Sequence, residues 1–540
     1  MSTLFPDVPL STSTPAQVRA TLLAREEIAL VDVREEDPFA QAHPLWAANF
    51  PFSKLELETW GRLPRRDVPI VVYDDGEGLA EPAARRLQGL GYSDVSVLAG
   101  GLAAWREAGY ELFRDVNVPS KSFGELVEAR RHTPSLTAPA VKALLDEGAN
   151  VVVLDARRYD EYHTMSIPGG VSVPGGELVR RARDLAPDPS TQVIVNCAGR
   201  TRSIIGTQSL INAGIPNPVA ALRNGTIGWT LAGQSLAHGQ AKRHEEVPLG
   251  DTRAARDAAA ELARHAGVRR IDEAQLRDWL ADPGRTTYRF DVRGADEYAQ
   301  GHRPGFRHAP GGQLVQETDH QAPVRGARIV LADDDGVRAN MAASWLAQMG
   351  WEVVALAPDV AAHTETGADR APQPAPPAVN FVSSAELARW REEAPDDVAV
   401  VDLTASANHV SRHIPGAWWT TRSRLAHSLA STIPTVRRVV LTCGSSLLAR
   451  FAAADVAAQL AAQGRELRVL EGGNAAWFAA GLPQEGGEGG LAAPRDDRYR
   501  RPYEGTDNPR SAMQAYLDWE FGLIAQLDRD GTHFFKVLGA

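Results

Sequence analysis

Val151-Val-Val-Leu-Asp-Ala-Arg157 is an apolar run that closes on an acid and a base, and this chain writes it four times. The other copies are Ala29-Leu-Val-Asp-Val-Arg34, Tyr288-Arg-Phe-Asp-Val-Arg293 and Val398-Ala-Val-Val-Asp-Leu-Thr404, the last with Thr404 in place of the arginine. Their aspartates fall at 32, 155, 291 and 402, so the spacings are 123, 136 and 111 residues. A repeat of that length is a domain rather than a solenoid turn.

A second apolar run follows each first one: Pro69-Ile-Val-Val-Tyr73, Gln192-Val-Ile-Val-Asn196, Arg328-Ile-Val-Leu-Ala332 and Arg438-Val-Val-Leu-Thr442. Short continuous Val/Ile runs fit strands buried on both faces of a parallel sheet. Ala- and Leu-rich segments at helical spacing come next, as in Glu81-Pro-Ala-Ala-Arg-Arg-Leu-Gln-Gly-Leu90, with Pro82 acceptable in a first helical turn. A third element closes three of the units: Val97-Leu-Ala-Gly-Gly-Leu-Ala-Ala-Trp105, Ala221-Leu-Arg-Asn-Gly-Thr-Ile-Gly-Trp229 and Val469-Leu-Glu-Gly-Gly-Asn-Ala-Ala-Trp477. The third unit keeps Val353-Val-Ala-Leu356 without the glycines or the tryptophan and is degenerate.

Alternating strands and helices predict an α/β fold of four tandem domains, each a doubly wound, mainly parallel sheet flanked by helices. The expected domains are 1–118, 130–245, 257–362 and 379–484, followed by a tail, 485–540. Ala371-Pro-Gln-Pro-Ala-Pro-Pro377 reads as a stiff linker. The tail holds an amphipathic helix candidate over Ser511 to Leu527, expected to pack on the fourth domain.

A formal net charge of -11 argues against a general nucleic-acid or anionic-membrane binder. No apolar run is long enough to span a bilayer and the start has no signal-peptide pattern, so a cytoplasmic location is expected. Two cysteines, Cys197 and Cys443, allow neither a disulfide scaffold nor a CxxC metal site, and no metal or other cofactor is expected.

Aligning the four second strands places Asp74, Cys197, Asp333 and Cys443 at one position, just past the strand. The carboxyl end of a parallel strand, before a helix, is the ligand crevice of open α/β folds. The loop Cys197-Ala198-Gly199-Arg200-Thr201-Arg202-Ser203 therefore puts a thiol at a helix N-terminus, where anions are stabilised. Two arginines add positive charge, so the Cys197 pKa is expected to fall. Gly199 permits a tight backbone, and the Thr201 and Ser203 hydroxyls are candidate donors to a bound anion. The loop reads as a nucleophile with an anion cradle.

Cys197-x4-Arg202, Asp155-x-Arg157, Tyr159-x-Glu161-Tyr162 and Ile167-Pro-Gly169 resemble the rhodanese family. Ser166 stands where that family has histidine, although His413-Ile-Pro-Gly416 in unit four fits, and Asn224-Gly225 replaces the usual Gly-Gly. The resemblance spans residues 1 to ~484, strongest in units two and four. It implies a sulfurtransferase in which the Cys197 thiolate takes the outer sulfur of a small anionic donor such as thiosulfate. The resulting persulfide passes that sulfur to cyanide, a thiol or a sulfur-acceptor protein. Asp155 and Arg157 read as structural.

Asp74-Asp-Gly-Glu-Gly-Leu-Ala80 and Asp333-Asp-Asp-Gly-Val-Arg-Ala339 have no thiol and carry carboxylates, so units one and three read as inactive. Cys443-Gly-Ser-Ser-Leu-Leu-Ala449 keeps the thiol but lacks a cation, and Cys443 is a second candidate site. Two rivals remain. A cell-cycle phosphatase uses Cys-x5-Arg, and here that spacing lands on Ser203. A non-enzymatic persulfide sensor or scaffold would need neither arginine.

Overall fold

A computed structural model describes residues 9–505 and 507–539. It contains four five-stranded sheets with every pairing parallel and one strand order throughout. In unit two the order across the sheet is Ser135–Leu136, Val219–Leu222, Gln192–Asn196, Val151–Asp155, Val171–Ser172. The three expected strands are the three central ones. The outer two, of two residues each, carry no legible pattern.

The central strands carry apolar residues on both faces because each side of the sheet has its own core. Val193 and Val195 enter one core with Leu178 and Leu210, while Ile194 enters the other with Val141 and Trp229. Each unit opens its first long helix with a capping side chain: Thr14, Thr137, Asp272 and Ser383 each accept a backbone N–H. The Asp-x-Arg signature is a buried fork. Arg157 donates to both Asp155 oxygens at 2.8 and 2.7 Å and to the Met165 carbonyl at 2.7 Å. In unit four, where the arginine is Thr404, His409 Nδ1 takes over the Asp402 carboxylate at 2.9 Å.

The boundary near 118–130 is filled by a buried helix, Val118–Arg131. Near 245–257 a helix begins, Arg253–His265, that packs on unit three's Val337–Gln348 and on unit two's Leu178–Leu185. Unit three lacks a closing helix: its last strand, Glu352–Leu356, is followed by a single turn.

The units associate in pairs through equivalent turns. Gly175–Glu177 of unit two lies against Gly311–Gln316 of unit three, and Phe52–Lys54 of unit one against Arg422–Arg424 of unit four. Arg338 donates to Glu177 at 2.8 Å across the first junction, and Arg422 to Glu56 at 2.6 and 2.9 Å across the second. Units one and three join through the Ile28 and Arg325 backbones.

The tail departs from expectation. It leaves unit four, crosses unit one and forms two helices, Arg510–Phe521 and Leu523–Asp530. The first packs on unit two, where Met513, Tyr516 and Leu517 share a core with Ile227. The second packs on Val118–Arg131. An amphipathic pattern announces a buried face without naming its partner, and here the partner lies some three hundred residues upstream rather than in the adjacent unit. Among the described residues, no helix is long and apolar enough to cross a membrane.

Candidate functional site

Cys197 follows the central strand Gln192–Asn196, and its loop feeds the helix Thr201–Asn212. The closing helix anchors the loop from the far side: Thr226 N–H donates to the Cys197 carbonyl at 2.9 Å and Ile227 N–H to that of Ala198 at 3.0 Å. This approach explains Asn224-Gly225. Asn224 takes the left-handed φ of 61°, which asparagine tolerates, but a Cβ on Gly225 would collide with the Cys197 carbonyl. Only the second glycine is sterically required.

The nucleophile position has one shared feature. In unit one, Asp74 accepts backbone N–H groups from Leu79 at 2.5 Å and Ala80 at 3.0 Å. In unit three, Asp333 accepts from Gly336 at 2.8 Å and Ala339 at 3.0 Å. In unit two the N–H of Ser203, the same sixth residue, is aimed at the Cys197 sulfur, and in unit four that of Ala449 at Cys443. The fold therefore builds an anion cradle in all four units. Two of them fill it with an internal carboxylate and two with a thiol.

Cys197 is 1% exposed. Its Sγ donates to Ser203 Oγ at 3.4 Å, and that hydroxyl donates onward to the Arg200 carbonyl at 2.8 Å. This is the hydrogen bonding of a thiol, not a thiolate. The expected fall in pKa is reversed: burial pushes the Cys197 thiol up, and the opposing pull of the Arg202 charge and the Ser203 hydrogen bonds is smaller.

The arginines also differ from expectation. Arg200 is turned out of the cradle. It donates to Glu125 at 2.7 and 2.9 Å, pairs with Glu128, and lies over the Phe521 ring. Arg202 does face the sulfur electrostatically, but both its terminal nitrogens are held by Glu161 at 2.7 and 2.9 Å. The guanidinium holds the Glu161 carboxyl down at about 2. Glu161, which the sequence offers only as part of the Tyr159-x-Glu161-Tyr162 motif, is thus part of the site's electrostatics. Unit three repeats the pair as Arg338 with Glu297, at 2.6 and 3.0 Å.

Thr201 Oγ1 is buried without a hydrogen-bond partner, and Ala198 is buried. Gly199 has no left-handed φ. Its role is clearance, since a Cβ there would meet Tyr516 of the tail helix at 3.1 Å and Glu520 at 3.4 Å. The Cys197 loop is thereby roofed. The Cys443 loop is not: Gly444 and Ser445 are exposed although Cys443 itself is 4% exposed, and burial raises its thiol too. The acidic run Asp333-Asp334-Asp335 is committed to backbone N–H groups, Arg180 and Arg338. Beside the loop, Thr201 and Arg202 line a cavity of about 820 Å³ between units two and three, with Arg158, Tyr159 and Arg243 on its wall.

Four parallel sheets, each ending its central strand in an anion cradle and one of them presenting Cys-x4-Arg, define a rhodanese-type protein. The rhodanese-like domain family model matches residues 14–108, 137–232, 272–361 and 383–480, and the chain belongs to that family. Among solved structures it is similar to a thiosulfate sulfurtransferase from Pseudomonas aeruginosa. The two are 63% identical over 98% of this chain and 100% of that one, with a TM-score of 0.94. Among curated proteins it is similar to the uncharacterized protein YibN of Escherichia coli K12, 29% identical over 94 residues. It also resembles the putative sulfur carrier protein YrkF of Bacillus subtilis 168, 28% identical over 100 residues. Those matches take in 17% and 18% of this chain and span 66% and 51% of the two relatives' lengths.

Proposed function

We propose that this chain is a sulfurtransferase that carries sulfane sulfur on Cys197. The observation that carries the reading is the shared cradle. The N–H that binds a carboxylate in units one and three points in unit two at a thiol, so the site is built to hold an anion on sulfur. A persulfide is such an anion. The 63% identity to a thiosulfate sulfurtransferase over nearly the whole chain supports thiosulfate as donor.

The Cys197 thiolate attacks the outer sulfur of thiosulfate. The sulfur–sulfur bond of the donor breaks, sulfite leaves with the electron pair, and a Cys197 persulfide forms. Cyanide or a thiolate then attacks the outer sulfur and regenerates the Cys197 thiolate. The Ser203 N–H and the N-terminus of Thr201–Asn212 stabilise the negative charge in both halves. The Ser203 hydroxyl turns from the Arg200 carbonyl to the sulfur once the thiol proton is gone. A sulfur-carrying partner protein fits the acceptor role equally well, since YrkF is described as a putative sulfur carrier.

Purified protein incubated with thiosulfate should gain the mass of one sulfur on the Cys197 peptide and form thiocyanate with cyanide. Cys197→Ala should abolish both, and Cys443→Ala should keep most of the turnover. The reverse pattern would move the active unit to the fourth domain. Absence of persulfide with every donor would favour a non-enzymatic sensor or scaffold instead.

A further inference from the structure

The roof over the Cys197 loop contains a carboxyl group with no assigned work. Glu520 is 0% exposed, on the tail helix Arg510–Phe521. Its Oε1 accepts the Tyr516 hydroxyl at 2.8 Å, and its Oε2 has no partner. That free oxygen is the atom that would approach a Cβ on Gly199, so it is aimed at the loop. The charged and titratable groups around it come from three elements. Helix Val118–Arg131 contributes Glu125 and Lys121, the loop contributes Arg200 and Cys197, and the tail helix contributes Tyr516.

Both neighbouring cations are already committed. Arg200 is held by Glu125 and Glu128, and Lys121 by Asp115 at 2.6 Å, with its ammonium over the Tyr503, Tyr516 and Trp519 rings. Glu520 is shut away from solvent and has no cation of its own, and a buried carboxyl in that position keeps its proton. A proton on Oε2 is a hydrogen-bond donor facing the Cys197 loop.

Resting on the sulfurtransferase reading above, we propose that Glu520 is a specificity-determining residue of the Cys197 site. As a neutral carboxyl it donates from Oε2 to an oxygen of the anionic sulfur donor seated over the loop, and as a carboxylate it repels that donor. The tail is thus part of the substrate site and not only a cover for it.

Burial lifts the Glu520 carboxyl to about 8. The neutral form is then nearly complete at pH 7 and falls to roughly one-tenth at pH 9, and apparent affinity for the anion falls by about the same factor. The test uses full-length Cys197→Ala/Cys443→Ala as the parent protein, which has no thiol to turn over or titrate, with thiosulfate as the probe and calorimetry from pH 6.5 to 9.5. Thiosulfate should bind about tenfold more weakly at pH 9 than at pH 7, and the parent protein with Glu520→Gln added should bind with no such slope, because glutamine keeps a donor and cannot ionise. Equal slopes in the two proteins overturn the proposal. If the glutamine variant misfolds, Tyr516→Phe serves instead. Losing the hydroxyl that stabilises the carboxylate should move the midpoint of the slope upward, and an unmoved midpoint overturns the proposal. Persulfide formation on wild-type protein, read by mass, separates the two levels. If persulfide forms while the slopes are equal, Glu520 has no such role and the sulfurtransferase reading stands. If no donor gives a persulfide, that reading falls and the proposal with it.

Discussion

Replacing Arg202 with methionine strips the cradle of its one cation with a line to the sulfur, and the size of the effect follows from Glu161. The guanidinium holds that carboxyl at about 2 against an ordinary 4.5. At about 1.4 kcal/mol per pH unit, the gap is about 3 kcal/mol, the net of burial, which opposes it, and of the Arg202, Arg157 and Arg158 charges, among which Arg202 contributes most. This agrees with the ~3–5 kcal/mol cost of breaking a buried ion pair from one side. The folded-state value lies below the ordinary one, so the contribution is complete above about pH 4.5 and is lost as pH falls toward 2. Four units do not unfold as one two-state system, so the readout should be local. Hydrogen exchange of peptides covering Gln192–Asn196 and Thr201–Asn212, at pH 7, should be roughly a hundredfold faster in Arg202→Met if they open as a unit. Adding Glu161→Gln should restore most of the protection, because the stranded carboxylate is gone. If the double variant exchanges as fast as the single, the loss comes from packing and the electrostatic account of this loop is wrong. Because Glu161 occupies both terminal nitrogens, Arg202 acts on an anionic donor through its charge, and Arg202→Met should raise the thiosulfate KM more than it lowers kcat.

Two further expectations concern the roof and the turn beneath it. Tyr516→Ala removes a buried aromatic that seats the tail helix, a loss of ~3–5 kcal/mol for a core aromatic, and should speed iodoacetamide labelling of Cys197 at least tenfold. Labelling of Cys443 on the same protein should not change, and equal acceleration of both thiols would mean global loosening instead. Gly225→Ala should cost most of the activity and destabilise unit two, while Asn224→Gly should change thiocyanate formation less than twofold; a tolerated Gly225→Ala would refute the steric account of that turn.

The fold was legible because its central strands are four- and five-residue, mostly apolar runs that recur in the same order in all four units, and the nucleophile position followed from aligning them. The edge strands were not, since a pair of residues such as Val171–Ser172 has no periodicity to read. The Arg202–Glu161 pair was within reach. Glu161 and Glu297 both stand six residues past the strand aspartate, and Arg202 and Arg338 both five past the nucleophile position. The other units lose both together, with Pro38 and Leu79 in one and Asn408 and Leu448 in the other. Such joint loss within one chain is a contact signal. The protonated state of Cys197 and the diversion of Arg200 to Glu125 and Glu128 were out of reach. The first is set by burial of the strand end, and the second by Val118–Arg131 and the tail helix closing over the loop, and a helical pattern does not carry its docking address.

That closure has a consequence in time. The ribosome releases the Cys197 loop roughly three hundred residues before it makes the helix that covers it, an interval on the order of half a minute at ordinary elongation rates. During that interval unit two can fold, but its loop lacks the tail helix that packs on Gly199, and its donor site lacks Glu520. The finished site therefore belongs to the finished chain. A nascent or prematurely ended copy presents an open loop like that of Cys443, and only completion of the tail covers it.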